Sequence, residues 1–332
     1  MKVPIRLAQV FIAACGVVSL MLPAQARASL EFGVDVGNYV VMYEGVGGDQ
    51  LNINNFGYNG ATREWTGDIG IAGTGQLGAS GPGTLVGNVN FSAANSGQAS
   101  INNTTITGTV NYGVSSVQTT MNALNALSTS LGAEATLGTS LSINTSTPQT
   151  VLASNGALVG GNLVFNVTSV STNNGQNLFI QGNGSNNVVF DVNTGGTDQF
   201  HGNIILEDMT GKYYGQAGYA GLTPDQVLFN LYSGDNLDAN NNGDNAHPDN
   251  IMEGTFLDPD GSISFVNTRI DGRIFGGDSQ NMQIVSGDTI VLPTSGPPPV
   301  GSGTPEPSAL IVWSVLGGAA IGLGWRRKRK AA

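Results

Sequence analysis

The sequence contains one cysteine, Cys15, and two histidines, His201 and His247, among 332 residues. A chain with one cysteine forms no internal disulfide, so its body must be held together by packing. A zinc site needs three or four closely spaced His, Cys or carboxylate ligands, and the sequence shows no such spacing. Neither histidine lies near a Gly-x-Ser-x-Gly turn that would carry a nucleophilic serine. These absences argue against zinc enzymes, thiol enzymes and serine hydrolases.

Charged residues are also scarce, at 11% of the chain where about 25% is usual. Basic residues are nearly confined to the two ends. Residues 29–304 contain 4 Lys or Arg against 22 Asp or Glu, a net charge of −18. Nucleic acid and anionic lipid are bound by clustered Lys and Arg. The composition therefore excludes nucleic-acid partners and favours cations.

Glycine is abundant, with 49 residues where average usage would give about 23. Gly, Asn, Thr and Ser disfavour helix interiors, which argues against a helical bundle. The glycines do not recur at every third position, which excludes collagen. A hydrophobic share of 40% is too high for a disordered chain. The composition predicts a turn-rich all-β body.

The N-terminus has the order of a secretory signal peptide. Two basic residues precede an apolar run at residues 10–22, which is followed by a proline and small residues. We predict a signal peptide over residues 1–28, with cleavage after Ala26 or Ala28 and export by the Sec route. The alternatives are a retained membrane anchor, for which the run is short, and lipid attachment at Cys15.

The C-terminus has three adjacent parts. Residues 293–307 are rich in Pro, Gly and Ser and predict a linker. Residues 308–325 carry no charge and predict a transmembrane helix. Residues 326–332 contain five basic residues, which the positive-inside rule places in the cytoplasm.

This end closely resembles the PEP-CTERM sorting signal, whose motif is present as Pro305, Glu306 and Pro307. The resemblance implies recognition by an exosortase-type sorting enzyme and removal of the tail. It further implies delivery from a membrane-anchored precursor to the cell surface or the extracellular matrix. The alternative is a simple C-terminal membrane anchor.

A Gly-polar-apolar triplet recurs along the body. The instances begin at Gly67, Gly87, Gly108, Gly161, Gly202, Gly254 and Gly272. The first three are 20 and 21 residues apart, and the last two are 18 apart. Alternating segments at residues 163–167 and 188–192 predict short strands nearby. A period near 20 with a turn glycine and a short strand predicts a β-solenoid, with a β-sandwich as the alternative.

One segment, residues 115–131, has no glycine and follows a helical pattern. Its apolar stripe is Val117, Met121, Leu124, Leu127 and Leu131. Ser115 or Ser116 would cap its start and Gly132 would follow its end. The opposite face is polar but uncharged, so we predict an amphipathic helix packed along the β body.

Four segments of the body are characteristic, at residues 39–45, 227–230, 254–259 and 270–277. Through them the body, residues 29–292, resembles the choice-of-anchor A domain and, more distantly, the ice-binding β-solenoid family. The resemblance implies a β-solenoid with a helix alongside. This chain departs from the pattern by an insertion between Leu231 and Asn250, so no ligand site is carried over from the family.

The Asp/Asn-rich loop at residues 233–250 matches the spacing of a calcium-binding loop. The candidate ligands are Asp238, Asn240, Asn242, Asp244 and Asp249. Against calcium are an Asp at the last position, a proline before it and the lack of flanking helices. The alternative is a solvated loop without a metal, and no other cofactor is indicated.

Two further activities find little support. Asp258, Asp260 and Asp271 cluster in the sequence with Arg269 and Arg273, and paired carboxylates are what glycoside hydrolysis needs. Residues 258–261 are more simply explained as a turn. Ice binding would need repeated Thr rows, and only residues 105–109 supply one.

The sequence therefore predicts a non-enzymatic, exported protein of the cell surface or extracellular matrix. Its role would be structural or adhesive, with envelope polysaccharide or proteins as partners. The alternative is a calcium-dependent carbohydrate-binding or polysaccharide-cleaving β-solenoid module.

Overall fold

The computed structural model describes residues 33–55, 64–172, 176–240, 251–277 and 280–293. They belong to one compact unit, residues 28–296. The predicted signal peptide, the sorting motif, the C-terminal helix and the basic tail lie outside the described residues. Within the described part, no helix has both the length and the apolar character needed to cross a bilayer.

The described residues form 25 strands and one α-helix. The strands are β1 Tyr39–Gly45, β2 Gln50–Asn54, β3 Glu64–Thr66, β4 Asp68–Gly73, β5 Gln76–Ser80, β6 Thr84–Val86, β7 Val89–Phe91, β8 Ala99–Asn102, β9 Thr105–Ile106, β10 Val110–Asn111, β11 Thr139–Thr145, β12 Gln149–Leu152, β13 Ala157–Val159, β14 Asn162–Thr172, β15 Leu178–Gln181, β16 Val188–Val192, β17 Thr197–Gln199, β18 Ile204–Glu207, β19 Val227–Leu231, β20 Asn236–Asn240, β21 Ile251–Asp258, β22 Ile263–Val266, β23 Arg269–Gly276, β24 Met282–Val285 and β25 Thr289–Val291. The helix is α1 Ser115–Glu134.

The strands stack into three parallel ladders, which form three faces of a solenoid. Face A is β10-β7-β4-β1-β23-β21-β19-β16-β14-β11, face B is β8-β5-β2-β24-β22-β20-β17-β14-β11, and face C is β9-β6-β3-β25-β23-β21-β18-β15-β12. The long strands β11, β14, β21 and β23 turn a corner and so belong to two faces. Among the described strand pairs, only β13 with β14 is antiparallel. The parallel stacking confirms the predicted β-solenoid over the β-sandwich.

The coils do not stack in chain order. β1 lies between β4 and β23, so the N-terminal coils stack on one side of it and the C-terminal coils on the other. β10 and β11 therefore stand at opposite ends of face A. Neighbouring strands lie about 4.8 Å apart, which separates these ends by roughly 43 Å. Helix α1 connects them, and its 20 residues span about 30 Å of that distance.

Most of the predicted glycine triplets mark the corner between face C and face A. The corner glycines are Gly67, Gly87, Gly108, Gly254 and Gly272. A Cβ at Gly272 would lie 1.8 Å from the carbonyl oxygen of Gly254, so a side chain does not fit where these backbones cross. The strand register agrees here with the predicted coil length of 18 to 21 residues. Ile69, for example, lies opposite Val89, 20 positions further along the chain. Other coils are longer. Phe190 lies opposite Phe229, and the chain between them includes the long loop between β18 and β19.

A row of aromatic rings fills the interior behind face A. Phe165, Phe190, Phe229 and Phe256 stack at centroid distances of 5.2, 4.8 and 5.2 Å. All four rings are buried. They stack because the parallel register places the same inward position of each coil above the last. The coils are thus held together through side chains as well as through backbone hydrogen bonds.

Helix α1 lies on face A, as the apolar stripe predicts. Val117, Met121, Leu124 and Leu131 are buried against outward residues of the face A strands, among them Phe275. The helix begins at Ser115 without a side-chain cap, so the predicted serine cap is wrong. It also continues through Gly132 to Glu134, and a short 3-10 helix, Ala135–Leu137, follows. Gly132 serves packing instead, because a Cβ there would lie 2.4 Å from the ring of Tyr232.

Candidate functional site

The three faces differ in what covers them. Face A is covered by α1. Face C is partly covered by the loop between β18 and β19, residues 208–226. No described helix or long loop crosses face B, where outward side chains are half-buried or exposed. Face B is therefore the candidate interaction surface.

One row of side chains runs along the whole of face B. The printed register aligns Ser100, Gly78, Asn52, Gln283, Ser264, Asp238, Gln199, Ser171 and Asn144 in that order. We call these nine positions the polar row. Eight of them carry an amide, hydroxyl or carboxylate side chain. With neighbouring strands about 4.8 Å apart, the row is about 38 Å long.

Strand alternation keeps this surface polar. In β2, Leu51 and Ile53 are buried whereas Asn52 and Asn54 point outward, and β5 and β24 follow the same pattern. Successive side chains of a strand point to opposite faces. The apolar residues that bind each coil to the core therefore also orient the polar row outward.

Hydrogen bonds between coils order the side chains beside the polar row. They join Ser142 Oγ to Ser169 Oγ at 2.6 Å, Ser262 Oγ as donor to Asn236 Oδ1 at 2.8 Å, and Gln50 Nε2 as donor to Gln76 Oε1 at 3.1 Å. Amides and hydroxyls so held present donors and acceptors at fixed positions. The surface is suited to an extended ligand with repeated hydrogen-bonding groups.

The chain matches the family described as "Putative Ice-binding-like adhesive domain" over residues 36–285. It belongs to this family. The match covers the solenoid from β1 to β24, and it supports the resemblance to ice-binding solenoids predicted above. Membership in an adhesive family supports a non-enzymatic role, outside the cell or at its surface.

Solved structures similar to this ice-binding-like adhesive domain share little sequence with it. A glycosylated ice-binding protein from an Arctic yeast (LeIBP) is 15% identical, with a TM-score of 0.43, covering 84% of this chain and 100% of its own. An ice-binding protein from the Antarctic ascomycete Antarctomyces psychrotrophicus is 13% identical, with a TM-score of 0.37, covering 81% and 100%. No curated protein gave a significant match.

The polar row differs from the Thr rows that ice binding would need. None of its nine positions is a threonine. The one Thr-rich segment predicted from the sequence, residues 105–109, lies at the end of face C and its corner. The described part of face B thus offers mixed amides and hydroxyls.

The predicted calcium ligands are only partly described. Asp238 lies in β20 and belongs to the polar row, so this part of the predicted 233–250 loop is a strand. Its Oδ2 lies 3.4 Å from His201 Nε2. Asn240 ends the same strand, whereas Asn242, Asp244 and Asp249 lie outside the described residues. Within the described ranges, no cluster of three His, Cys, Asp or Glu side chains is arranged to hold a metal.

The carboxylates near the C-terminal coils are separated by the fold. Asp258 ends β21 on the way to face B, and its Oδ1 accepts a hydrogen bond from the Gly261 amide at 2.8 Å, which supports the turn. Asp271 lies on face C and pairs with Arg269. The register instead places Glu253 beside Asp271. The sequence carried a signal for this pair that we missed, because Glu253 and Asp271 directly precede Gly254 and Gly272, whose triplets are 18 positions apart.

Proposed function

We propose that this protein is an exported adhesin whose face B binds neutral extracellular polysaccharide. The polar row carries the proposal. It supplies amide and hydroxyl groups at regular spacing over about 38 Å, which suits a polymer with repeated hydroxyls. The family's adhesive description supports the same role.

The charge distribution favours a neutral ligand. Asp238 is the one ionisable residue of the polar row, and the surrounding body is strongly acidic. Anionic polymers would be repelled, and surface charge effects would weaken with salt. We therefore expect binding to persist between about 0.05 and 0.5 M NaCl, because neutral hydrogen bonds carry it.

Retention on extracellular polysaccharide purified from the producing cells tests the proposal. The face B variant combines Gln199→Ala, Gln283→Ala and Ser171→Ala, all at exposed positions. Each lost hydrogen bond costs about 1 kcal/mol, so we expect binding at least roughly tenfold weaker. The matched control combines Ser116→Ala, Asn122→Ala and Ser130→Ala on the exposed side of α1 and should bind as wild type does.

Two outcomes would contradict this function. Equal retention of the face B variant and the control would show that face B is not the binding surface. Release of soluble oligosaccharides would establish the alternative, a polysaccharide-cleaving module.

We further propose that export uses the signal peptide over residues 1–28, with cleavage after Ala26 or Ala28. An exosortase-type enzyme would then act at Pro305, Glu306 and Pro307 and release the protein from the membrane segment at residues 308–325. Mass spectrometry of the surface-released protein tests this route. Peptides from residues 310–325 in the released form would contradict it.

A further inference from the structure

A cavity of about 660 Å³ lies on face C, away from the polar row. Its floor is formed by outward side chains of four adjacent coils, including Ile205, Glu253, Asp271 and Val291. Its wall is the loop after β18, which contributes Tyr213 and neighbouring residues. The volume falls in the range of about 300–1,000 Å³ that is typical of small-molecule sites.

Hydrogen bonds within the loop after β18 hold the cavity wall in place. The Asp208 carboxylate accepts hydrogen bonds from Thr210 Oγ1 and the amides of Thr210, Lys212 and Ala220, at 2.7 to 3.1 Å. These bonds, chiefly the one from the Thr210 hydroxyl, hold the pKa of Asp208 well below its usual range. The braced loop presents Tyr213, whose ring stacks on Phe179 at 6.0 Å. The cavity is thus largely formed before any ligand arrives.

The charges of the polar groups in the cavity floor largely cancel. Arg269 donates from Nε and Nη2 to the two carboxylate oxygens of Asp271, each at 2.9 Å. Glu253 lies beside Asp271 in register, is buried, and accepts a hydrogen bond from the Leu206 amide at 2.5 Å. Burial raises the pKa of Glu253 to about 8, so its carboxyl is mostly protonated at neutral pH. The floor therefore offers donors and acceptors with little net charge.

We propose that this cavity binds a single neutral sugar unit. A pyranose ring has an apolar face for Tyr213, Ile205 and Val291, and hydroxyl pairs for the planar Asp271 and Arg269 groups. An ionic ligand would have to compete with one member of the Arg269–Asp271 pair for the charge of the other. The inference deepens the proposed adhesion and rests on it for the source of the sugar: face B would bind along the polymer, and the cavity would bind a chain end or branch.

Saturation-transfer NMR with a panel of methyl glycosides (gluco, galacto, manno and rhamno forms) tests the cavity on the purified protein. We expect transfer to at least one glycoside, reduced at least fivefold by Tyr213→Ala, which removes one aromatic ring of the wall. Val291→Trp should reduce the transfer similarly, because the larger side chain fills the cavity. Melting curves of both variants would show whether either of them misfolds. The face B triple variant is the matched control and should keep full transfer.

Absence of transfer to any glycoside, or transfer unchanged in both cavity variants, would overturn the proposal. The two proposals fail separately. If wild type shows glycoside transfer but is not retained on the polymer, face B adhesion alone is contradicted. If wild type is retained on the polymer but shows no glycoside transfer, the cavity alone is contradicted.

Discussion

The buried carboxyl of Asp191 predicts that mild acid stabilises this protein. Asp191 lies on β16 beneath α1 and is fully buried. Asn230 Nδ2 donates to its Oδ1 at 2.7 Å, and Ser128 Oγ of the helix donates to Asn230 Oδ1 at 2.5 Å. Burial raises the pKa of Asp191 to about 7, against the hydrogen bond from Asn230 and with a contribution from the Glu134 charge. The group therefore titrates inside the contact between helix and solenoid.

The sign and size of the effect follow from linkage. The folded-state pKa of Asp191 lies above its unfolded value of 3.8, so the unfolded state releases its proton first. The stability contribution is complete below about pH 4 and is lost as pH rises through about 7. Between pH 5 and pH 8 this group alone should lower the free energy of unfolding by about 2–3 kcal/mol. For a domain of this size that is a fall in Tm of about 5–10 °C.

Asp191→Asn isolates this contribution, because it keeps an oxygen for Asn230 and removes the titration. Thermal unfolding of wild type and variant at pH 5 and pH 8 gives two differences in Tm. The variant should show the smaller one, although Glu253 and Asp258, whose pKa values burial raises to about 8, leave some slope. Asp35→Asn, at an exposed position, should match wild type. Equal slopes for wild type and Asp191→Asn would refute the reasoning.

Three further predictions concern the core, the corner and the insertion. Phe229→Ala, in the middle of the aromatic row, should lower the free energy of unfolding by about 3–5 kcal/mol in denaturant titrations. Phe229→Leu should cost less, because it keeps most of the apolar volume; equal losses would mean that ring stacking, and not apolar burial, carries the stability. Gly272→Ala should prevent soluble expression, since its Cβ meets the Gly254 carbonyl oxygen, whereas Gly48→Ala, with nothing within 4 Å, should express normally. Calcium at about 10 mM is roughly tenfold above the usual range of extracellular sites and should raise Tm slightly in wild type but not in Asp238→Ala. An unchanged wild-type Tm would favour the solvated loop.

Several features of the fold were determined by the sequence alone, because their causes are local. The helical spacing of Val117, Met121, Leu124 and Leu131 specifies one apolar stripe, whatever surface the helix packs against. A glycine before a strand allows tight backbone crossing at a corner, so the triplets predicted coil boundaries. Alternation in residues 163–167 predicted β14 in the same way.

Only the tertiary structure decided which coils are neighbours. β1 is inserted between β4 and β23, and no local pattern encodes a contact between residues more than 200 positions apart. The polar row depends on the same register, since its members come from nine strands whose loops differ in length. Gly132 was misjudged for this reason, because the ring of Tyr232 reaches it only after the coils have stacked. The pair of Glu253 and Asp271, by contrast, follows from the 18-residue spacing of the Gly254 and Gly272 triplets. Long-range packing sets strand register, and register assembles the surface.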